Sequence, residues 1–297
     1  MNGTSVTLGF KTSPQAVDWP TLDATWQAAG ELDVFDAAWL NDHISHPALE
    51  AGGSSWEAVS LAGALAHHVP GKWVGHVVLA NTFRHPVLLA KAATVLDHVT
   101  GGRFILGLGA GWHAWEHSAF GIPLPPIGER ISRLESAVAV CKALFSPEAS
   151  ALPGVTLDDP FYPLTGATNE PQTLRPGGPP IWLGGQRRRG IALAAAKGDG
   201  WFMPGDRAND VDYLRERRDA VLRALEAAGR ADAVFDIAGQ ITCGTTTAER
   251  REALDVARRM IEVGATHLIL GIAASAGPDV LRAVAREVAE PLRATAT

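Results

Sequence analysis

Three short polar or glycine-rich stretches follow apolar runs in this chain, and each combines residue types that can do chemistry. Asn41-Asp42-His43 comes directly after Asp36–Leu40 (DAAWL). Histidine is the side chain best suited to proton transfer near neutral pH, and an adjacent carboxylate such as Asp42 can orient its ring. The same tripeptide also reads as a plain turn, where Asn and Asp are common. Gly107-Leu108-Gly109-Ala110-Gly111-Trp112 closes the run that begins at Arg103. Alternating glycines let a flat ligand approach the backbone, or simply make a tight turn. They are not a dinucleotide fingerprint, because the third required glycine would fall on Trp112 or Ala114. Gly184-Gly185-Gln186 leads from an apolar run straight into a helix, whose first N–H groups would face a phosphate. Arg187, Arg188 and Arg189 follow as a solvated face from which one guanidinium could reach that phosphate. His113-Ala114-Trp115-Glu116-His117 matches H-x-x-E-H, a zinc-hydrolase pattern that requires a helix. It follows a glycine-rich turn and has no assignable third ligand, so no metal is expected. Cys141 reads as core, Cys243 as unassigned, and His67-His68 as solvated.

The elements that must position these residues alternate along the chain. Runs with strand character cover Thr4–Phe10, Asp36–Leu40, Val74–Leu79, Arg103–Leu108, Pro180–Leu183, Trp201–Met203, Val234–Thr242 and Thr266–Leu270. Helical spacing covers Trp19–Gly30 with Asp18 as N-cap, then a stretch capped by Ser54 or Ser55 and running through His67. It returns from Pro86 to Gly101-Gly102 and over Glu129–Phe145, Arg189–Ala196, Asp210–Ala228, Ala248–Val263 and Pro278–Leu292. Near-continuously apolar strands alternating with helices predict an α/β fold with a parallel sheet, and eight such units favour a (β/α)8 TIM barrel. One domain over 1–297 is expected, with insertions at about 110–128, after strand four, and 146–178, before strand five. The second is long enough to form a lid or wall over the mouth. In such a barrel chemistry sits at the C-terminal ends of the strands, where Trp39, Trp112, Trp115 and Trp182 suggest an aromatic pocket.

Composition narrows the function classes. With 46% hydrophobic and 20% charged residues among 297, the chain can bury a large core, which excludes disordered and collagen-like classes. Its net charge of −6 gives no field for nucleic acid or anionic lipid. Two cysteines build no disulfide framework, and no signal peptide or membrane span is visible. These features predict a cytoplasmic protein acting on a small molecule, with neither nucleic acid nor membrane as partner.

Several stretches together resemble the bacterial luciferase-like monooxygenase superfamily: Trp39–His43, Asn81-Thr82-Phe83-Arg84-His85-Pro86, Leu89-Ala90-Lys91, Gly101–Trp112, Glu116, Gly121 and Pro179–Gly185. The similarity runs in order over nearly the whole chain, and its specific part is Asn81–Gly121. Within the superfamily the pattern is most similar to the branch that uses the deazaflavin coenzyme F-420. The resemblance implies a homodimeric TIM barrel that moves a hydride between F-420 and a small organic substrate, with the ring at the C-terminal mouth. It places a bulge, often with a non-prolyl cis peptide, at Val77-Val78. It maps ring-edge contacts to Asp42 and His43, with Asn81 beside them. It maps the strand-four turn to Gly109, Gly111 and Trp112, and the phosphate turn to Gly184, Gly185 and Gln186. His43 is then the expected proton donor or acceptor, with Glu116 as its partner. The last strand, Thr266–Ala274, holds no Lys or Arg, which argues against a sugar phosphate as substrate. An FMN-dependent monooxygenase and a non-catalytic flavin-binding barrel are the alternatives.

Overall fold

The computed structural model describes residues 6–45 and 54–294. Its strands are β1 (Thr7–Thr12), β2 (Ala37–Leu40), β3 (Trp73–His76), β4 (Leu79–Ala80), β5 (Phe104–Gly109), β6 (Val155–Leu157), β7 (Leu164–Ala167), β8 (Ile181–Gly184), β9 (Gly200–Phe202), β10 (Asp236–Thr242) and β11 (His267–Ile272). Its helices are α1 (Trp19–Gly30), α2 (Ala58–Leu65), α3 (Pro86–Val99), α4 (Ala114–Ala119), α5 (Ile127–Leu144), α6 (Arg188–Lys197), α7 (Val211–Ala227), α8 (Thr247–Glu262), α9 (Gly277–Val284) and α10 (Glu290–Ala294). Eight strands pair in parallel in the order β1-β2-β3-β5-β8-β9-β10-β11, and β11 returns to β1, which closes a (β/α)8 barrel. All eight C-terminal ends therefore open onto one mouth. The expected start of the first strand at Thr4 lies outside the described residues.

Strand alternation divides the core in two. Leu8 and Phe10 of β1 face outward, and Phe10 packs edge-on to Trp26 of α1 with centroids 5.4 Å apart. Gly9 faces inward. There a separate cluster of Ala37, Trp39, Ile105, Trp182, Phe202, Ala238 and Ile269 fills the barrel. Trp39 contacts Trp182 (5.5 Å), Phe202 (5.4 Å) and His267 (5.2 Å). Its indole N–H donates to His267 Nε2 at 3.1 Å. Glycine at position 9 is what admits this ring, since a Cβ there would lie 2.4 Å from the indole nitrogen. The aromatic pocket expected from Trp39 and Trp182 is thus corrected. These two rings are buried as an interior plug, whereas Trp112 stands exposed at the mouth.

Asp18 caps α1 by accepting from the Thr21 N–H at 2.8 Å, and Pro86 opens α3, both as the sequence predicts. The second helix starts later than expected: Glu57, not Ser54 or Ser55, caps α2 by accepting from the Ser60 N–H. The 146–178 segment forms a hairpin, β6 against β7, but not a lid. It runs along α3 and α5, where Lys91 and His98 donate to the Glu170 and Gln172 carbonyls and buried Asn169 donates to Thr94. Those side-chain bonds hold it to the barrel wall. Only Phe161 and Tyr162 reach the mouth-side ends of the helices, against Arg133 and His85.

Candidate active site

Beyond the end of β2 the chain turns and presents His43 to the short helix α4. His113 caps that helix, its ring Nδ1 accepting from the Glu116 N–H at 3.3 Å. This fixes Glu116, whose side chain is buried, beneath the β2 turn. Glu116 Oε1 accepts from the backbone N–H groups of Ile44 and Ser45, the latter at 2.9 Å. Glu116 Oε2 lies 3.0 Å from His43 Nδ1. A carboxylate only accepts, so Nδ1 carries the proton and Nε2 is left with a lone pair. Burial alone would raise the Glu116 pKa. The His43 ring N–H together with the Ser45 and Ile44 N–H groups outweighs it and holds the carboxyl below its ordinary value.

Asp42 therefore does not orient the histidine beside it, and that sequence reading is corrected. Its Oδ2 accepts from the Ala80 N–H (2.8 Å), and both its oxygens accept from Arg84 (2.6 and 2.9 Å). Arg84 also pairs with Glu57, the cap of α2. Both oxygens of Asp42 are thus engaged by groups of the protein, and the side chain braces the bulge from behind.

That bulge joins β3 to β4. The Val77 N–H donates to the Leu40 carbonyl at 2.7 Å, the Val77–Val78 peptide is cis, and both side chains are half-buried. Gly109 of β5 and Gly184 of β8 accommodate Val78: a Cβ would lie 2.5 Å from its Cγ2 at 109 and 3.3 Å at 184. The Asn81 N–H donates to the Gly109 carbonyl (2.8 Å), while its buried Oδ1 has no partner. Gly111 (φ 75°) presses on Thr82, and the neighbouring Trp112 stands edge-on to His43 at 6.0 Å. His43, Glu116, Val77, Val78, Asn81, Gly109, Gly111, Trp112 and Gly184 thus form one connected patch across four neighbouring strand ends.

Gly185 and Gln186 extend it with roles that the sequence did not disclose. A Cβ at Gly185 would come 2.8 Å from the Gly190 Cα, so this glycine lets β8 run close beneath α6. The Gln186 amide spans from the Phe202 carbonyl (3.1 Å) to the Tyr213 hydroxyl (2.8 Å) and braces the turn. The N-terminus of α6, at Arg187, receives no side-chain cap. The H-x-x-E-H pair is otherwise engaged. His117 donates from Nδ1 to the His113 carbonyl (2.8 Å) and accepts the Thr82 hydroxyl at Nε2 (2.7 Å). No group of three or more metal-ligating side chains stands together among the described residues. Cys141 and Cys243 are buried thiols, both pushed up to about 12 by burial.

Sequence reasoning missed three polar groups at the mouth. Ser55 donates to the His43 carbonyl at 2.6 Å, and Gln15 accepts from Asn41 at 3.0 Å. Lys11, on the inward face of β1, donates to Gln240 Oε1 at 2.6 Å. The only signal for Lys11 was its alternation with outward-facing Leu8, Phe10 and Thr12.

Residues 20–295 match the sequence model of the luciferase-like monooxygenase family. The F-420-dependent glucose-6-phosphate dehydrogenase of Kineococcus radiotolerans is 29% identical over 236 residues, covering 79% of this chain and 67% of that protein. The chain thus spans about two thirds of the length of the curated relatives it matches. The coenzyme F-420-dependent tetrahydromethanopterin reductase of Methanopyrus kandleri superposes with a TM-score of 0.77 at 16% identity, over 97% of this chain and 100% of that one. A long-chain alkane monooxygenase superposes with a TM-score of 0.79 at 14% identity, over 98% and 92%.

Proposed function

Because the chain belongs to the luciferase-like monooxygenase family and presents an oriented imidazole beside the strand-end bulge, we propose that it is an F-420-dependent oxidoreductase acting on a small organic substrate. The observation that carries this reading is the His43–Glu116 pair, which leaves a basic ring nitrogen next to a platform fit for a flat ring.

The residues present fit the cofactor. Val77 and Val78 offer an apolar face. Asn81 Oδ1 is a buried acceptor without a partner, suited to an N–H on the pyrimidine edge of a deazaflavin. The uncapped N-terminus of α6, with Arg187, Arg188 and Arg189 around it, suits a phosphate. When bound, F-420 supplies the hydride acceptor or donor that no protein side chain can provide. When the carbon bearing a substrate hydroxyl gives up hydride, the hydroxyl must lose a proton, and His43 Nε2 holds the lone pair that takes it. In the opposite direction the imidazolium returns that proton, and Glu116 stabilises the charged ring. Arg84 and Asp42 hold the bulge in place throughout.

Quenching of the nine tryptophans on titration with F-420 and with FMN tests the cofactor. Tighter binding of F-420 is expected. A tenfold preference for FMN, about 1.4 kcal/mol, would replace this reading with the monooxygenase one.

A further inference from the structure

Lys11 is part of no step above, yet its position is unusual. It lies one inward-facing layer nearer the mouth than Gly9, which touches the aromatic plug. Its amine donates to Gln240 of β10 and lies about where the ends of β1, β10 and β11 meet the loop after β9, with Gly205 and Gly271 as neighbours. Around the closed barrel, β10 is the fourth strand from β3 in either direction, so the Lys11–Gln240 pair occupies the wall opposite the Val77–Val78 bulge. The side chain retains partial solvent access. Among the described residues no carboxylate pairs with it. An ammonium ion removed from water without a counter-charge is costly and is retained where a ligand supplies that charge. Glycines at 205 and 271 leave space beside it rather than a covering side chain.

Resting on the oxidoreductase reading, we propose that Lys11 is a substrate-anchoring residue that binds a carboxylate or similar acidic group, with Gln240 fixing its amine across the mouth from the bulge. Burial lowers the lysine to about 8, which leaves it mainly protonated at neutral pH and able to act as a cation. Gln240 is itself held, since its amide N–H donates to the Met203 carbonyl at 2.5 Å. One ammonium N–H goes to Gln240, and the remaining donors are available to an anionic oxygen. The substrate class is then organic acids, and the basic residue that meets them at the mouth comes from the first strand and not the last.

Benzoate and benzamide form a matched probe pair of nearly equal shape that differ in charge. Ligand-observed NMR on the whole protein should show benzoate binding at least tenfold more tightly than benzamide to the wild type. Lys11→Met should abolish that preference while keeping the F-420 affinity of the wild type. Equal binding of the two probes, undetectable binding of benzoate, or a preference that survives in Lys11→Met would each overturn the proposal. A tenfold loss of F-420 affinity in Lys11→Met would also overturn it, by making the amine a cofactor contact. Should the variant not fold, reductive ¹³C-methylation of the five lysines in the wild type gives an independent reading. The Lys11 resonance should move with benzoate and not with benzamide, and an unmoved resonance counts against the idea. The probe measurements need no cofactor, so a failure to bind F-420 would refute the oxidoreductase reading separately.

Discussion

Glu116 spends one oxygen on two backbone N–H groups and the other on a ring nitrogen, and a neutral amide cannot repeat that division. In Glu116→Gln the carbonyl oxygen stays with Ile44 and Ser45, and the NH₂ group turns toward His43. The ring must then accept at Nδ1, which moves its proton to Nε2 and removes the lone pair facing the mouth. Turnover should fall by about 10²-fold or more, as for His43→Ala, because general acid–base groups contribute roughly 10²–10⁴-fold. Ring binding should persist in both variants. Nitrogen-15 shifts of His43 would report the tautomer directly, and an unchanged tautomer with full turnover would remove both residues from the chemistry. His43 was legible from its place after a strand. Its partner Glu116 was named by the resemblance and not by spacing, because Asp42 is the carboxylate adjacent in sequence whereas Glu116 is 73 residues away and arrives through the α4 cap. The Arg84–Asp42 pair, spanning 42 residues, was hidden for the same reason.

At the scale of elements, the bulge between β3 and β4 depends on absent side chains in β5 and β8. Gly109→Ala would place a methyl 2.5 Å from Val78 Cγ2, inside contact distance. Overpacking of this kind costs about 1–3 kcal/mol and should shift the platform, weakening both stability and ring affinity. Adding Val78→Ala frees the space, so the double variant should be more stable than Gly109→Ala alone, a coupling typical of residues in contact. Urea unfolding of the four proteins in that cycle checks it; additive losses would mean that the two sites do not share the space. Alternation made all eight barrel strands readable from sequence, and Pro86 and Asp18 marked helix starts because local caps write themselves into local residues. The course of the 146–178 segment along α3 and α5 could not be read from sequence, because it is decided by bonds from Lys91, His98 and Asn169, none of which leaves a periodic trace.

Across the whole molecule, the interior plug makes stability sensitive to acid. Burial pushes His267 down to about 3 from its ordinary 6.5, and its Nε2 already accepts the Trp39 N–H. The folded value lies below the unfolded one, so the contribution is complete above about pH 6.5 and is lost as pH falls toward 3. Between about pH 6.5 and 5 carboxylates of ordinary acidity stay ionised, which leaves buried histidines to set the slope. His76, also buried and lowered, acts in the same direction. His267→Gln keeps an acceptor for Trp39 and should reduce the slope by about one proton, ~1.4 kcal/mol per pH unit. Urea midpoints measured across that range provide the comparison, and parallel curves for variant and wild type would contradict it.

The same plug has a kinetic meaning. Trp39, Trp182, Phe202 and His267 close the barrel beneath the mouth, so the proposed site is a cul-de-sac with one doorway. Whatever lies deepest must enter before its companion and can depart only after it. If one ligand of such a site lies beneath the other, traffic runs last in, first out, and the order of arrivals and departures follows from the architecture before any loop has to move.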